Sequence, residues 1–472
     1  MSSVNAPVRR SVLVAFTLPT FALGIMHGPE GQIQSIYAKH AGVALTAIAA
    51  AMLFSKIFDG ITYPLIGSMS DRTYARRGTR KGWVIGGAVV SLLGIWNLLR
   101  PPSGADAVYF GLWMSITYIG WKLIEIPLQA WSYGLSEDYV QRSRIQAWRG
   151  MVGIAGTFLF FAMPYFAMKL GMSDSTELDF RSLGFSAIVC AIALPLATLA
   201  AVVFVPEGAS PPASATRRFG LSELIGAVRH NPPLLHLTAA FLPSSFLTGL
   251  MGGVSYLYLD TYLHLGNQVA AILGLSALTS VFAVPFWTVM ATRFERHRVW
   301  AIALAIGGLG CLAMALLSPG SLALPLALVV YPIVIFTTAS TILVFAMSAD
   351  IVDYGRLTTG EDHAGLYSAV FVFLQKSIIG VATAAGLALA GLFGFDATAA
   401  SQSASGIIGI KLAGGILPAI GLVSSAALIW RYPLNRARVA EIQSQLRKDV
   451  SGGTAGDSNG LPSNDRYAEN SS

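Results

Sequence analysis

The sequence predicts an all-α membrane protein of twelve transmembrane helices in two pseudo-symmetric six-helix halves. Of the 472 residues, 54% are hydrophobic and only 12% are charged, whereas about 25% of the residues in a soluble domain are charged. The mean hydropathy is +0.62. Twelve apolar stretches are long enough to cross a hydrocarbon layer that needs about 20 residues. The longest polar interruption follows the sixth stretch and divides the spans evenly.

The interruptions predict the domain organisation. The two halves are residues 1–205 and 235–430. Residues 206–234 between them contain a proline, serine and alanine run and are predicted to be a flexible cytoplasmic linker. Residues 431–472 are predicted to be a cytoplasmic, largely disordered tail, because the end of the chain is rich in glycine, serine, asparagine and aspartate.

Lysine and arginine are concentrated in one set of loops. Those loops and the chain ends hold 23 of the 31 basic residues, the opposite loops hold 5, and the remaining three are Lys56, Lys122 and Lys376 inside spans. Positive charge accumulates on the cytoplasmic side, so both termini are predicted to be cytoplasmic. Topology therefore explains the net charge of +7, and the expected partner is the lipid bilayer, with no nucleic acid.

The residues that carry chemistry exclude several function classes. The two cysteines, Cys190 and Cys311, both lie in apolar runs and show no metal-ligand spacing. We recognise no catalytic nucleophile, metal cluster or nucleotide-binding loop, so the sequence predicts no enzyme, no metal and no cofactor beyond a coupling ion. A channel remains an alternative, and it would conduct far faster than a carrier.

The loop between the second and third spans contains a motif of glycine, aspartate and arginine residues. Gly67, Asp71, Arg72 and a cluster of further arginines resemble the loop signature of the major facilitator superfamily. Gly67 permits close helix contact, and Asp71 can pair with a basic group when the cytoplasmic side closes. A loop that only sets topology would explain the arginines and would leave Asp71 unexplained.

Three further segments show the order and spacing of one family. They are Lys56-x-x-Asp59 ahead of Pro64, Glu125-Ile-Pro127, and Asp353-Tyr-Gly followed by Gln375-Lys376. Over about residues 33–395 the chain resembles the melibiose-permease-like glycoside–pentoside–hexuronide cation symporters. The resemblance implies a major facilitator fold, alternating access and cation-coupled symport of a sugar, glycoside or uronide. It also implies a bacterial inner membrane, and roles in cation and sugar binding for Asp59, Glu125 and Lys376.

Ionised residues inside spans are informative because each costs about 2.5–3.5 kcal/mol at mid-bilayer. Lys56 and Asp59 are three residues apart on one helix, and Lys122 and Glu125 repeat that spacing on another. Two interpretations stay open. Each lysine can neutralise the carboxylate on its own helix, or all four side chains can face a shared cavity in which Asp59 receives the coupling cation.

The sequence thus predicts three sets of site residues. The cation-coupling set is Asp59, Lys56 and Tyr63. The substrate-binding set is Glu125, Lys122, Gln129, Trp131, Arg149, Lys376 and His27. The gating set is Gly67, Asp71, Arg72, Asp350, Asp353 and Arg356. His27 adjoins a kink predicted at Gly28-Pro29, so a purely local hydrogen-bonding role is its alternative.

Two positions depart from the family pattern. Tyr63 stands where the family has a second carboxylate, and a tyrosine with a pKa of about 10 supplies no negative charge. Because Na⁺ prefers charged oxygens while a proton needs one titratable group, H⁺ is favoured over Na⁺, with uncoupled facilitation still open. Leu23 stands where the family has an acidic sugar contact, which weakens the expectation of a galactoside.

The cargo is therefore the least determined feature. The main expectation is a small-molecule sugar, glycoside or uronide, carried by a monomer. The alternative keeps the fold and carries an amphipathic lipid or an aromatic acid.

Overall fold

The computed structural model consists of helices and short connections. It describes residues 8–136, 138–207, 231–359 and 364–456, with side chains left out at 139–140, 359, 364–377 and 447–456. The predicted linker falls largely on 208–230, outside the described residues. We call the end of the bundle that carries Arg10 and Trp430 the inner end, and the opposite end the outer end.

The first half contains seven helices that make six spans. They are α1 (Arg10–His27), α2 (Ile33–His40), α3 (Leu45–Arg77), α4 (Lys81–Leu99), α5 (Ala107–Gly134), α6 (Tyr139–Lys169) and α7 (Phe180–Phe204). A 3₁₀ turn over Gly28–Gly31 separates α1 from α2. The kink predicted at Gly28-Pro29 is thereby confirmed, and it places His27 at the end of α1 and Glu30 within the turn.

The second half repeats this arrangement. Its helices are α8 (Pro232–Leu257), α9 (Val269–Arg293), α10 (Arg296–Leu316), α11 (Ala323–Thr338), α12 (Ile342–Thr359), α13 (Ala364–Leu392), α14 (Ala404–Lys411) and α15 (Leu417–Trp430). Short 3₁₀ or π turns join α11 to α12 and α14 to α15, so each pair makes one span.

Among the described residues, ten helical stretches are long and apolar enough to cross a membrane by length and composition. The long helices α5 and α13 complete the predicted twelve. α5 carries Lys122 and Glu125, and α13 is described with side chains only from residue 378. α6 begins at Tyr139, so Arg149 lies about three turns inside this helix.

Small residues allow the helices of one half to approach closely, as the composition predicts. α1 packs on α6 and α7, and α4 packs on α5. A methyl group at Gly24 of α1 would collide with the carbonyl oxygen of Gly153 of α6. Gly67 makes no such close contact in this conformation, since a methyl group there would meet Ile126 only at 3.9 Å.

The tail also differs from the prediction of a largely disordered segment. Residues Arg436–Gly456 form a helix, α16, whose first turn is capped by a hydrogen bond from the Arg438 amide to the Asn435 side chain (2.9 Å). Gln443 of α16 donates to Asp353 of α12 (3.1 Å). Helix-forming alanine, glutamine, leucine and arginine in this segment explain the helix.

Candidate substrate and cation site

The two halves are joined at the outer end. α3 packs on α13, α6 on α9 and α2 on α8. Within the described chain, the hydrogen bonds that cross between halves lie near this end, for example Ser35 to the Gly253 carbonyl (3.0 Å) and Thr176 to the Asn267 carbonyl (2.8 Å). The outer end is therefore closed in this conformation.

A lysine clamps this closure. Lys39 Nζ of α2 lies 2.5 Å from Glu177, in the loop between α6 and α7, and 2.7 Å from Asp260 of the second half. The Asp260 side chain is fully buried. Hydrogen bonds from His40 and Lys39 lower the pKa of Glu177 to about 2, so Glu177 stays ionised at any physiological pH and the clamp persists.

Below this clamp, two adjoining cavities extend between the halves. The first has a volume of about 580 Å³ and is lined by His27, Glu30, Lys56 and Tyr118 of the first half. Its opposite wall is rich in hydroxyls from α8, α11 and the following turn: Ser244, Ser245, Thr248, Thr337, Thr338, Ser340 and Thr341. The second cavity, of about 730 Å³, lies nearer the inner end. Both volumes are in the range of small-molecule sites.

Lys56 and Glu30 line the first cavity, whereas Lys122 and Asp59 line neither, and the lysine of each pair contacts a carboxylate of another segment. Lys56 Nζ of α3 lies 2.9 Å from Glu30 and 4.1 Å from the centre of the Tyr118 ring. Lys122 Nζ of α5 lies 2.5 Å from Asp59 of α3. The interpretation that each lysine neutralises the carboxylate on its own helix was therefore wrong, because partners on a neighbouring helix lie closer.

His27 is the link between the two cavities, and it lines both of them. Its Nε2 lies 2.8 Å from Glu125 and its Nδ1 lies 3.2 Å from Glu30. The ring centre is 4.0 Å from that of Trp121. Glu30 faces the first cavity and Glu125 faces the second, so the imidazole spans the boundary between them.

The second cavity collects the other predicted polar residues. Tyr63, Glu125, Gln129 and Arg149 line it, and Arg149 donates to Gln129, and to Gln146 at 3.3 Å. The Tyr63 ring lies 5.5 Å from Lys122 Nζ. The structure thus brings both predicted faces, Lys56-Asp59-Tyr63 and Lys122-Glu125-Gln129, to one region.

Of the two remaining predicted substrate contacts, Trp131 lies elsewhere and the side chain of Lys376 is not described. Trp131 is buried against Phe16 (ring centres 5.8 Å apart) and donates to the carbonyl of Pro206 (2.9 Å), so this indole is used in packing and lines neither cavity. Lys376 lies on α13 in a stretch whose side chains are outside the described part, and its predicted role stays a prediction.

The predicted gating residues lie at the inner end, and the described pairs stay within one half. Asp71 pairs with Arg80 (3.0 Å), Asp350 with Arg296 (2.7 Å), and Asp353 with Arg356 of the same helix (3.9 Å). Arg72 is exposed beside them. A gating role for these residues requires a second conformation in which the inner ends of the halves meet.

Sequence reasoning missed Glu30, Lys39, Glu177 and Asp260 as site residues. Glu30 was visible as an acidic residue beside His27 at the end of a span. Lys39, Glu177 and Asp260 look like ordinary loop or span-end charges, and only contact between the two halves distinguishes them.

A family model described as MFS/sugar transport protein matches residues 14–436. The chain belongs to this family. The family is one of transporters and not of enzymes, and the predicted resemblance to glycoside–pentoside–hexuronide symporters is confirmed.

Two relatives of known name share low sequence identity with this chain. The glucuronide carrier protein homolog of Escherichia coli is 25% identical and the match covers 91% of this chain and 93% of the relative. The sodium-dependent lysophosphatidylcholine symporter 1-B of Danio rerio is 22% identical, covering 83% of this chain and 80% of the relative.

The solved structure of the nucleoside transporter NupG superposes with a TM-score of 0.63 at 12% identity, covering 89% of this chain and 98% of that one. This similarity confirms the major facilitator fold.

Proposed function

We propose that this protein is a cation-coupled symporter of a small polyhydroxylated solute, a sugar, glycoside or uronide, that works by alternating access. The observation that carries the proposal is the pair of polar cavities between the halves, closed at one end by the Lys39 clamp. A carrier needs a central site that opens to one side at a time.

The cavity walls support this cargo. The described second-half wall of the first cavity offers serine and threonine hydroxyls, which donate and accept hydrogen bonds as sugar hydroxyls do. Arg149 in the second cavity suits a uronide carboxylate, because a guanidinium binds carboxylates through two parallel hydrogen bonds. The name of the E. coli relative, a glucuronide carrier protein homolog, supports the same class.

We expect uptake to be driven by an inward proton gradient and to continue without Na⁺. Tyr63 leaves the predicted Na⁺ site one carboxylate short, whereas several titratable groups line the cavities. Uptake of radiolabelled methyl glucuronide and methyl glucoside into proteoliposomes, with pH gradient, membrane potential and Na⁺ varied separately, measures this. Strict dependence of uptake on Na⁺ would contradict proton coupling. Equal uptake with and without ion gradients would indicate an uncoupled facilitator.

The second candidate cargo is an amphipathic lipid, favoured by the lysophosphatidylcholine symporter among the relatives. We expect purified protein to bind a glucuronide or glycoside and not a lysophospholipid, because hydroxyls and ion pairs line the cavities. Equilibrium binding of radiolabelled methyl glucuronide, competed by unlabelled glycoside or by lysophosphatidylcholine below its micelle concentration, checks this. Competition by the lysolipid alone would make the lipid the cargo.

A further inference from the structure

We propose that His27, Glu30 and Glu125 form the binding site of the coupling proton, in place of Asp59. The inference rests on the proton-coupled symport proposed above and assigns the residues that carry the proton. It starts from the position of one imidazole between two carboxylates.

The hydrogen-bonding capacity of imidazole supplies the first argument. A neutral histidine carries one N–H donor and one acceptor nitrogen, whereas an ionised carboxylate only accepts. In this structure both ring nitrogens of His27 face carboxylate oxygens, at 2.8 Å and 3.2 Å. Both contacts are hydrogen bonds only if His27 is an imidazolium or if one carboxyl is protonated. In either case the three groups hold one proton more than a neutral imidazole with two carboxylates.

Asp59, the residue that the sequence predicts to receive the coupling cation, requires no added proton. Lys122 neutralises Asp59 at 2.5 Å without an added proton, and only 8% of the Lys122 side chain and 20% of that of Asp59 are exposed. Glu30 is also paired with a lysine, but it shares an imidazole that can carry the added proton, whereas no histidine contacts Asp59 among the described residues. Asp59 therefore serves to compensate the charge of Lys122.

The surroundings of His27 are consistent with a site that loads and unloads. Glu30 is shared with Lys56 of α3, and from α5 Tyr118 lines the same cavity as Glu30 while the Trp121 ring lies beside His27. Lys122 of α5 pairs with Asp59. From α6 it faces Arg149, which acts electrostatically on Glu125. Each carboxylate thus has a second cation near it. When Lys56 or Arg149 takes a larger share of its carboxylate, His27 loses an acceptor and releases the proton to water.

The position of the cluster gives the proton a route. The side chains of His27, Glu30 and Glu125 are 30%, 32% and 38% exposed, and that exposure is to the two cavities. A proton arrives from water in the outward-open conformation and binds an imidazole nitrogen. It leaves to water in the cavity nearer the inner end after the outer clamp closes.

The test separates proton coupling from solute binding. His27→Gln, reconstituted in proteoliposomes, is given the methyl glucuronide or methyl glucoside that the wild-type protein accumulates. With a one-unit pH gradient and no membrane potential, one proton per solute supports about tenfold accumulation. We expect His27→Gln to lose this accumulation, and exchange of internal for external solute, measured on the same variant, shows whether solute binding is retained. His236→Gln, at a half-buried histidine that lines neither cavity and bonds the Leu428 carbonyl, is the matched control and should accumulate normally.

The remaining outcomes also decide. Normal proton-driven accumulation by His27→Gln overturns the assignment. If His27→Gln also loses exchange, the double variant Asp59→Asn/Lys122→Met, which removes both charges of that ion pair, is tested next. Proton-driven accumulation by the double variant supports the His27 cluster, whereas loss of that accumulation assigns the coupling proton to Asp59. Wild-type protein that exchanges solute but never responds to a pH gradient contradicts the proposed proton coupling itself, independently of His27.

Discussion

Asp59→Asn and Lys122→Met, each made alone, are expected to lower the free energy of unfolding by about 3–5 kcal/mol, because each breaks a mostly buried ion pair by removing one partner. The partner that remains is Lys122 in the first case and Asp59 in the second, and the wild-type ion pair is 2.5 Å long and mostly buried. The double variant should recover most of the loss, since it removes both charges together. Tryptophan-fluorescence unfolding of the four purified proteins in one detergent measures the cycle.

The chain contains a matched control for this cycle. Arg181 and Asp174 also form an ion pair, but their side chains are 63% and 90% exposed. Exposed ion pairs contribute little, so Arg181→Met and Asp174→Asn should unfold like wild type. Additive losses at Asp59 and Lys122, with no recovery in the double variant, would show that the two side chains do not stabilise the bundle as a pair.

Lys39→Gln is expected to shift the protein toward an outward-open conformation. Without the lysine, Glu177 and the fully buried Asp260 face each other across the two halves. Among the described residues, His40 (3.4 Å from Glu177) and the Thr261 hydroxyl, which donates to Asp260 (3.0 Å), remain beside them. Like charges at short range repel, and the hydrogen bond from His40, the largest cause of the low pKa of Glu177, is still present in the variant. An unpaired buried charge costs about 3–5 kcal/mol, enough to change the ratio of conformations by more than about tenfold.

Cysteine labelling measures this shift. Gly31 lines the first cavity, and a β-carbon there meets nothing within 4 Å, so Gly31→Cys is a suitable reporter. The native thiols, Cys190 and Cys311, are both buried. A membrane-impermeant maleimide applied to intact cells should label Gly31→Cys faster in the Lys39→Gln background. Lys169→Gln, at an exposed lysine near the same end, is the control. Equal labelling in both backgrounds would show that the clamp does not hold the outer end closed.

The fold could be predicted because the bilayer acts on each span separately. Length and hydropathy decide whether a segment crosses, and arginine and lysine decide its direction. α5 was predicted as a span despite Lys122 and Glu125 inside it, since the apolar residues around them outweigh two charges. The helix α16 was not predicted, because the glycine- and serine-rich composition of the last residues was extended to the whole tail.

The site could be predicted only as a set of residues. The cost of burying charge singled out Lys56, Asp59, Lys122 and Glu125, and helical spacing placed them correctly on two faces. Spacing along one helix contains no information about the opposite helix, so it could not show that Lys56 pairs with Glu30 and Lys122 with Asp59. For the same reason Trp131 was included, although its face of α5 turns to Phe16.

The sequence by itself thus determined that the helices lie in a lipid bilayer, how many spans they make, and which family the chain belongs to. It also determined which charged residues the membrane must accommodate. Those properties follow from the composition of each segment. Only the tertiary structure decided which charges neutralise one another, that His27 lies between two carboxylates, and that Lys39 joins the halves. Ion pairs depend on distances of a few ångströms between residues up to 221 positions apart, and those distances exist only after the helices have packed.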